Sequence, residues 1–350
     1  MPVRTCSITS NYSTIQKAGM LTMGCCHPSN MRWQQTEVAR CLQSWGAPHH
    51  SKFIYDCKTT NKVYSNYNTR FGVGITMHVK KTNFNFKDET VLITGGLGIL
   101  GGLFAEGFAE AGANVAIWDI HPDTTKIVTD RYKDRECYSK VKGFTVDISN
   151  KDSIDLAFGY TEAAFGTISH VLNNAASKGE NIKDFMEGPD KFSMKVWEEI
   201  MKVNVDAGFY IAQQAAVKMK NNKINGTIIF VSSIYGVVAP NPNLYEGSNY
   251  LGGQINTPPV YSASKASVIG LTRYLAAYWG KSGIRVNCIS PGGVHSGQND
   301  PFIKRYSERV PLTRMAEARE MVDPVLFLAS SSASYITGHN LVIDGGFSQW

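Results

Sequence analysis

Apolar residues in this chain fall into short continuous runs, separated by longer stretches where they recur every three or four positions. The runs at 91–94, 114–119, 142–147, 168–173, 226–232, 285–290 and 340–343 predict strands. The periodic stretches at 97–112, 123–135, 151–165, 193–221, 262–280 and 316–330 predict helices, with a shorter one near 301–308. In the first of them Leu100, Phe104, Phe108 and Ala109 share a face, and Gly112 is the stop. Ser149 or Asn150 caps the third. Strands without polar alternation belong in a sheet covered on both sides. Their alternation with helices predicts an α/β fold, a Rossmann-type doubly wound parallel sheet in a single domain. No internal repeat is found, and no linker divides 85–350.

Two stretches interrupt the alternation. Residues 240–259 read PNPNLYEGSNYLGGQINTPP, which is loop by composition. Residues 292–311 form the second. Both leave from carboxyl ends of strands, where open α/β sheets bind ligands. The first is expected to wall a substrate pocket, with Tyr245, Glu246 or Tyr250 reaching substrate hydroxyls.

The chain is organised around 91–101, VLITGGLGILG. A buried strand runs into glycines and then into a helix whose first N–H groups have no intrahelical partner. A pyrophosphate can approach such a backbone at the positive helix end, and Gly95, Gly98 and Gly101 are the candidate contacts. The next strand ends on Asp119. An acid there accepts hydrogen bonds from an adenosine ribose and opposes a 2′-phosphate. Ile120 and His121 follow it rather than Lys or Arg. The expected cofactor is NAD, with NADP disfavoured.

Charge changes the picture only at the amino end. The formal net charge is +6, and residues 1–76 hold eight Lys/Arg against Glu37 and Asp56. The remainder is balanced, so total charge supports neither nucleic-acid nor membrane partners. Five of the seven cysteines, Cys6, Cys25, Cys26, Cys41 and Cys57, lie in the same stretch. Adjacent cysteines without Cys-x2-Cys pairs fit zinc poorly, and a disulfide framework is not expected beside a large domain. No metal site is predicted. Residues 1–76 are read as a basic extension with little fixed structure, an organellar transit segment or a start-site artefact, with the domain at 77–350. A cytoplasmic location is the expectation for the domain itself.

Four side chains carry candidate chemistry. Tyr261 and Lys265 are one helical turn apart, and an ammonium nearby makes a tyrosine usable as acid or base. Ser233, at the end of the fifth strand, can hydrogen-bond a substrate oxygen. Asn204, after the fourth strand, can hold a water that relays protons to Lys265. Alone, Tyr and Lys at this spacing are ordinary surface-helix residues; their place after a nucleotide turn and a strand-end serine gives them weight.

Over essentially all of 85–350 the chain resembles the short-chain dehydrogenase/reductase family. The resemblance is carried, in the family's order, by Thr94 and Gly95, Asp147, Asn173-Asn174-Ala175, Asn204, Ser233, the Tyr261-to-Lys265 sequence YSASK, and Pro291-Gly292 with Val294 and Ser296. It implies a catalytic Tyr261, a Lys265 that lowers its pKa and binds the nicotinamide ribose, a Ser233 on the substrate oxygen, and an Asn204 completing a proton relay. Asp147 and Ile148 resemble the pair beside the adenine, Asn174 belongs to the cofactor side, and the segment Pro291, Gly292, Val294 and Ser296 flanks the nicotinamide. Ile99 stands where glycine is common, and Ala176 ends the usual NNAG. Ser233 and Tyr261 are 28 positions apart, more than is common in the family, because of the 240–259 insert. Together with SSIYG and PPVYSASK, that insert resembles a subgroup tied to sugar-acid and nucleotide-sugar metabolism. The implied activity is NAD-dependent interconversion of a secondary alcohol and a ketone on a polyhydroxylated substrate, by a homotetramer or homodimer. The alternatives are reduction of 3-oxoacyl or other apolar ketones, and a catalytically idle nucleotide-binding scaffold.

Overall fold

Seven parallel strands form one sheet: β1 (Thr90–Thr94), β2 (Asn114–Asp119), β3 (Val141–Thr145), β4 (His170–Asn173), β5 (Thr227–Val231), β6 (Arg285–Pro291) and β7 (Asn340–Ile343). Their spatial order is β3-β2-β1-β4-β5-β6-β7, with every pair parallel. The computed structural model describes residues 84–350 except 138–139, 251–252 and 255, and except the side chains of 249–255. The expectations for residues 1–76 and for a boundary at Met77 lie outside the described residues, as does the Tyr250 side chain.

All five residues of β1 are buried. Alternate positions serve opposite faces, as a period of two demands. Ile93 and Ile117 join Phe104 and Phe108 of helix α1 (Ile99–Glu110) and Leu326 of a later helix in one core. Leu92 and Trp118 join Phe158 of α3 (Lys151–Phe165) in the other, α2 (Thr124–Tyr132) having come between β2 and β3. Trp118 donates from Nε1 to Thr161 Oγ1 at 2.9 Å and meets Phe158 edge-on, so its one polar atom is satisfied in an apolar layer. The chain winds outward from β1 to β3 and then crosses to β4 on β1's other side. That reversal opens a crevice at the carboxyl ends of β1 and β4.

Three expected helices differ in detail. The 193–221 stretch is α4 (Met194–Met201), a π turn (Lys202–Ala207) and α5 (Gly208–Asn221). Helix α6 runs Pro259–Trp279, starting earlier than expected because proline is at home in a helix's first turn. After α7 (Asp300–Glu308), the 316–330 stretch is a 3-10 turn (Ala318–Met321) followed by α8 (Val322–Ala329). Strand β3 ends at Thr145 rather than 147, since the Asp147 carboxylate turns to accept the Ser149 N–H at 2.8 Å. The 240–259 insert is more ordered than its composition suggested. It holds a 3-10 turn (Pro242–Tyr245) capped by Asn241 and a small hairpin pairing Asn249–Tyr250 with Gly253–Gln254. Among the described residues no helix is long and apolar enough to cross a membrane.

Candidate active site

At the crevice, the end of β1 is bolted to the end of β4. Thr94 Oγ1 accepts the N–H groups of Asn174 and Ala175, each at 3.1 Å. The Asn174 amide donates back to the carbonyls of Thr94 at 3.0 Å and Gly95 at 3.1 Å. Gly95 has φ +65°, and a Cβ there would stand 2.8 Å from Ala175 Cα. A Cβ on Gly101 would stand 2.2 Å from the Gly95 carbonyl. Gly98 is different: an added Cβ would meet only the Gly95 carbonyl, at 3.3 Å, and the residue is exposed. It also caps α1 without a side-chain hydrogen bond, so the first-turn N–H groups face open space.

Asp119 borders the same space. Its Oδ2 accepts Leu97 N–H at 3.0 Å and its Oδ1 accepts His121 N–H at 3.2 Å. The Val146 N–H donates to the Asp119 carbonyl at 2.8 Å, which brings Asp147 and the half-buried Ile148 to this edge. A cradle that glycine alone can line, unpartnered helix amides and a fixed carboxylate fit a nicotinamide dinucleotide. Among the described residues no His, Cys, Asp or Glu cluster suits a metal.

The reacting groups gather one strand away. Tyr261 lies in the first turn of α6, with Lys265 buried one turn on. The Lys265 ammonium donates to the Val231 carbonyl at 2.8 Å and sits 5.8 Å from the centre of the Tyr261 ring. Burial pulls Lys265 down to about 8. Burial pushes the Tyr261 phenol up, and its hydrogen bond with Ser233 opposes that rise. Ser233 starts a 3-10 turn (Ile234–Gly236) that lies directly on α6: a Cβ on Gly236 would be 2.7 Å from the Lys265 carbonyl carbon. Gly236 and Ser232, which donates to the Lys265 carbonyl at 2.7 Å, hold this geometry. Sequence reasoning missed both, although the SSIYG stretch contains them.

Asn204 lies in the π turn, with its side chain held at both ends. Oδ1 accepts Ser177 N–H at 2.8 Å, and Nδ2 donates to Ser264 Oγ at 3.2 Å. The amide keeps one further acceptor position and one further donor, so these bonds leave the expected water a place on it. On the far wall, Pro291 ends β6, and Gly292 N–H donates to Ile343 O at 2.8 Å. Val294 bridges to Ala316. Gln298 braces the segment by donating to Val294 O and Ser296 Oγ, both at 3.0 Å.

Between these walls lies a cleft of about 290 Å³ onto which Ser233, Tyr261, Tyr235, Asn256, Gln298 and Gly292 open. Phe185, Met186, Phe302 and Met315 give it an apolar side. The insert does wall the cleft, but through Asn256, Thr257 and Pro258. Tyr245 is instead buried, stacked on Phe302 with ring centres 5.6 Å apart. Glu246 is exposed, and its carbonyl accepts a hydrogen bond from Arg305.

Comparison with known proteins gives concordant results. Residues 98–348 match a family model described as Enoyl-(Acyl carrier protein) reductase. A D-arabinitol 2-dehydrogenase [ribulose-forming] of Candida albicans is 32% identical, covering 77% of this chain and 95% of that protein. A 3-oxoacyl-[acyl-carrier-protein] reductase FabG of Chlamydia muridarum is 33% identical, covering 74% and 97%. A short chain dehydrogenase from Leptospira borgpetersenii, solved with bound NAD+, superposes with a TM-score of 0.66 at 32% identity, covering 78% and 98%. A gluconate 5-dehydrogenase from Burkholderia cenocepacia, in complex with NADP and tartrate, gives 0.65 at 27%, covering 76% and 98%.

Proposed function

The chain belongs to the short-chain dehydrogenase/reductase family, and on that premise we propose that it oxidises a secondary alcohol of a polyol, sugar or sugar acid, using NAD in preference to NADP. It is an oxidoreductase acting on CH–OH groups, and its cofactor is a nicotinamide dinucleotide. The observation that carries the reading is Tyr261 and Ser233 opening together onto one cleft, where Tyr235, Asn256 and Gln298 add polar groups to a mostly apolar wall.

The bound cofactor supplies the hydride acceptor; the chain's own residues handle the proton. Ser233 holds the substrate oxygen while Tyr261 exchanges the hydroxyl proton with it. Lys265, held by Val231, places positive charge beside the tyrosine ring and so favours the phenolate. Asn204, held in the π turn by Ser177 and Ser264, keeps one donor and one acceptor position for a water that relays protons to Lys265. Gly95, Gly98 and Gly101 receive the pyrophosphate, Asp119 the adenosine ribose, and Asp147 and Ile148 flank the adenine. Asn174 braces that turn, and Pro291, Gly292, Val294 and Ser296 flank the nicotinamide. Buried hydroxyls need partners, and Tyr235, Asn256 and Gln298 provide them. Exposed Phe209 and Val217 on α5 and Tyr274 and Tyr278 on α6 support a homodimer or homotetramer.

One observation favours a second reading: the apolar side of Phe185, Met186, Phe302 and Met315 suits a 3-oxoacyl chain. One screen tests both. Purified protein is offered pentitols, hexitols and aldonic acids with NAD+ or NADP+, and a 3-oxoacyl thioester with NADH or NADPH. NADH production from a polyol or sugar acid is expected; activity confined to the thioester would replace the first reading by the second.

A further inference from the structure

We infer that Tyr235 reads a second oxygen of the substrate, and that Tyr245 and Thr257 of the insert act by aiming its hydroxyl. The inference rests on the polyol reading above. Tyr235 lies two residues beyond Ser233 and opens onto the same cleft as Tyr261. Its hydroxyl accepts a hydrogen bond from Tyr245 OH at 2.8 Å. The Tyr245 oxygen is also 2.5 Å from Thr257 Oγ1. A phenol carries a single proton. With that proton given to Tyr235, the hydrogen bond between Tyr245 and Thr257 must be donated by Thr257. A substrate oxygen that takes the Tyr235 proton sets one direction for the donors, from Thr257 to Tyr245 to Tyr235. Burial, and the neighbouring Tyr245, Tyr306 and Tyr261, push the Tyr235 phenol far above the ordinary tyrosine range, so it stays a neutral donor.

The relay is also rigidly mounted. Tyr245 is buried among Leu244, Phe302 and Tyr306, and Arg305 of α7 binds the carbonyl next to it. The insert thus contributes to specificity indirectly. It cannot present Tyr245 to the substrate, but it fixes the direction in which Tyr235 points. A misdirected hydroxyl would leave a buried substrate oxygen unpaired, a loss that polar sites turn into discrimination.

The test uses the preferred polyol and each of its singly deoxygenated analogues, with wild type, Tyr235→Phe, Tyr245→Phe, Thr257→Val and Thr257→Ser. Tyr235→Phe should lower kcat/KM for the parent polyol by about tenfold or more. For one analogue, already poor with wild type, the same change should cost much less, because the oxygen it served is gone. Tyr245→Phe and Thr257→Val should give smaller losses with the same dependence on that oxygen, and Thr257→Ser should restore the wild-type ratio. Thermal unfolding of each variant separates misfolding from misdirection. Equal losses on parent and every analogue would overturn the inference while leaving the polyol reading standing. A wild type indifferent to all substrate hydroxyls would overturn the polyol reading and the inference with it.

Discussion

Lys265 reaches back from helix α6 to give the Val231 carbonyl a hydrogen bond at 2.8 Å, while Ser232, the residue just after β5, gives one to the Lys265 carbonyl at 2.7 Å. The exchange clamps the helix to the strand at the residue whose charge the chemistry needs. It also keeps that charge out of water, and this has a measurable consequence. An isolated lysine titrates near 10.5, and burial brings Lys265 to about 8. Between those values the unfolded chain holds a proton that the folded protein has released, so this group's contribution to stability rises with pH across that window. Below about 8 both states are protonated and the full cost of burying the charge is present. Lys265→Met removes the effect. The unfolding free energy of wild type minus that of the variant, measured by urea titration, should grow from pH 7 to pH 9.5. A flat difference would mean that Lys265 is solvated in the folded protein.

Tyr261→Phe should lower kcat by about 10²–10⁴-fold, the usual worth of a positioned proton-transfer group, with cofactor Kd moving little. Lys265→Met should move the alkaline rise of kcat/KM for alcohol oxidation to higher pH, since the phenolate loses its cation and burial alone pushes the phenol up. An unchanged pH profile in Lys265→Met would assign Lys265 a structural role only.

The strands and most helices were legible because β1, β2, β4, β5 and β6 are buried throughout or nearly so and read as unbroken apolar runs. The nucleotide turn was legible because backbone atoms come so close there that only glycine fits. What the pattern could not give was direction. Tyr245 sits in a Pro-, Asn- and Gly-rich stretch and reads as a surface residue, yet it is buried because Phe302, far along the chain, stacks on it. Asn204 falls on a helical period that gives no sign of a π turn, so its side-chain partners Ser177 and Ser264 could not be foreseen. Gly236 and Ser232 lie in the SSIYG stretch, but that pattern does not tell their role, which is contact with the α6 backbone that only the assembled sheet brings near.

Neighbouring glycines in the nucleotide turn should respond differently to the same added methyl. In Gly101→Ala the Cβ would stand 2.2 Å from the Gly95 carbonyl and 2.8 Å from Asn174 Nδ2, both fixed in the β1–β4 clamp. Overpacking of that kind costs about 1–3 kcal/mol, and here it also shifts the cofactor cradle. In Gly102→Ala the nearest atom, at 2.8 Å, is the end of the Arg131 side chain, which can swing away. Thermal unfolding and NAD binding should both suffer in the first variant and barely change in the second. Equal effects would place the constraint on the helix rather than on the clamp.

Cofactor choice turns on Asp119, whose two oxygens already accept the N–H groups of Leu97 and His121. Each carboxylate oxygen has a further lone pair, so ribose hydroxyls can bind without displacing either amide. A 2′-phosphate would bring two negative charges against that carboxylate, and the residues that follow, Ile120 and His121, supply no fixed positive charge to offset it. Wild type should therefore bind NAD more tightly than NADP. Asp119→Asn keeps the shape and drops the charge, but its amide nitrogen must face one of the two N–H groups and cannot accept from it. NAD affinity should fall about tenfold, the scale of one lost hydrogen bond to a charged group, while NADP affinity holds or improves. Adding Ile120→Arg should then favour NADP outright by supplying a cation at the phosphate position. Dissociation constants for both cofactors in all three proteins decide the matter, and thermal unfolding without cofactor reports how much of the change comes from the loosened turn. Tighter binding of NADP by the wild type would show that the phosphate lies beyond the reach of Asp119.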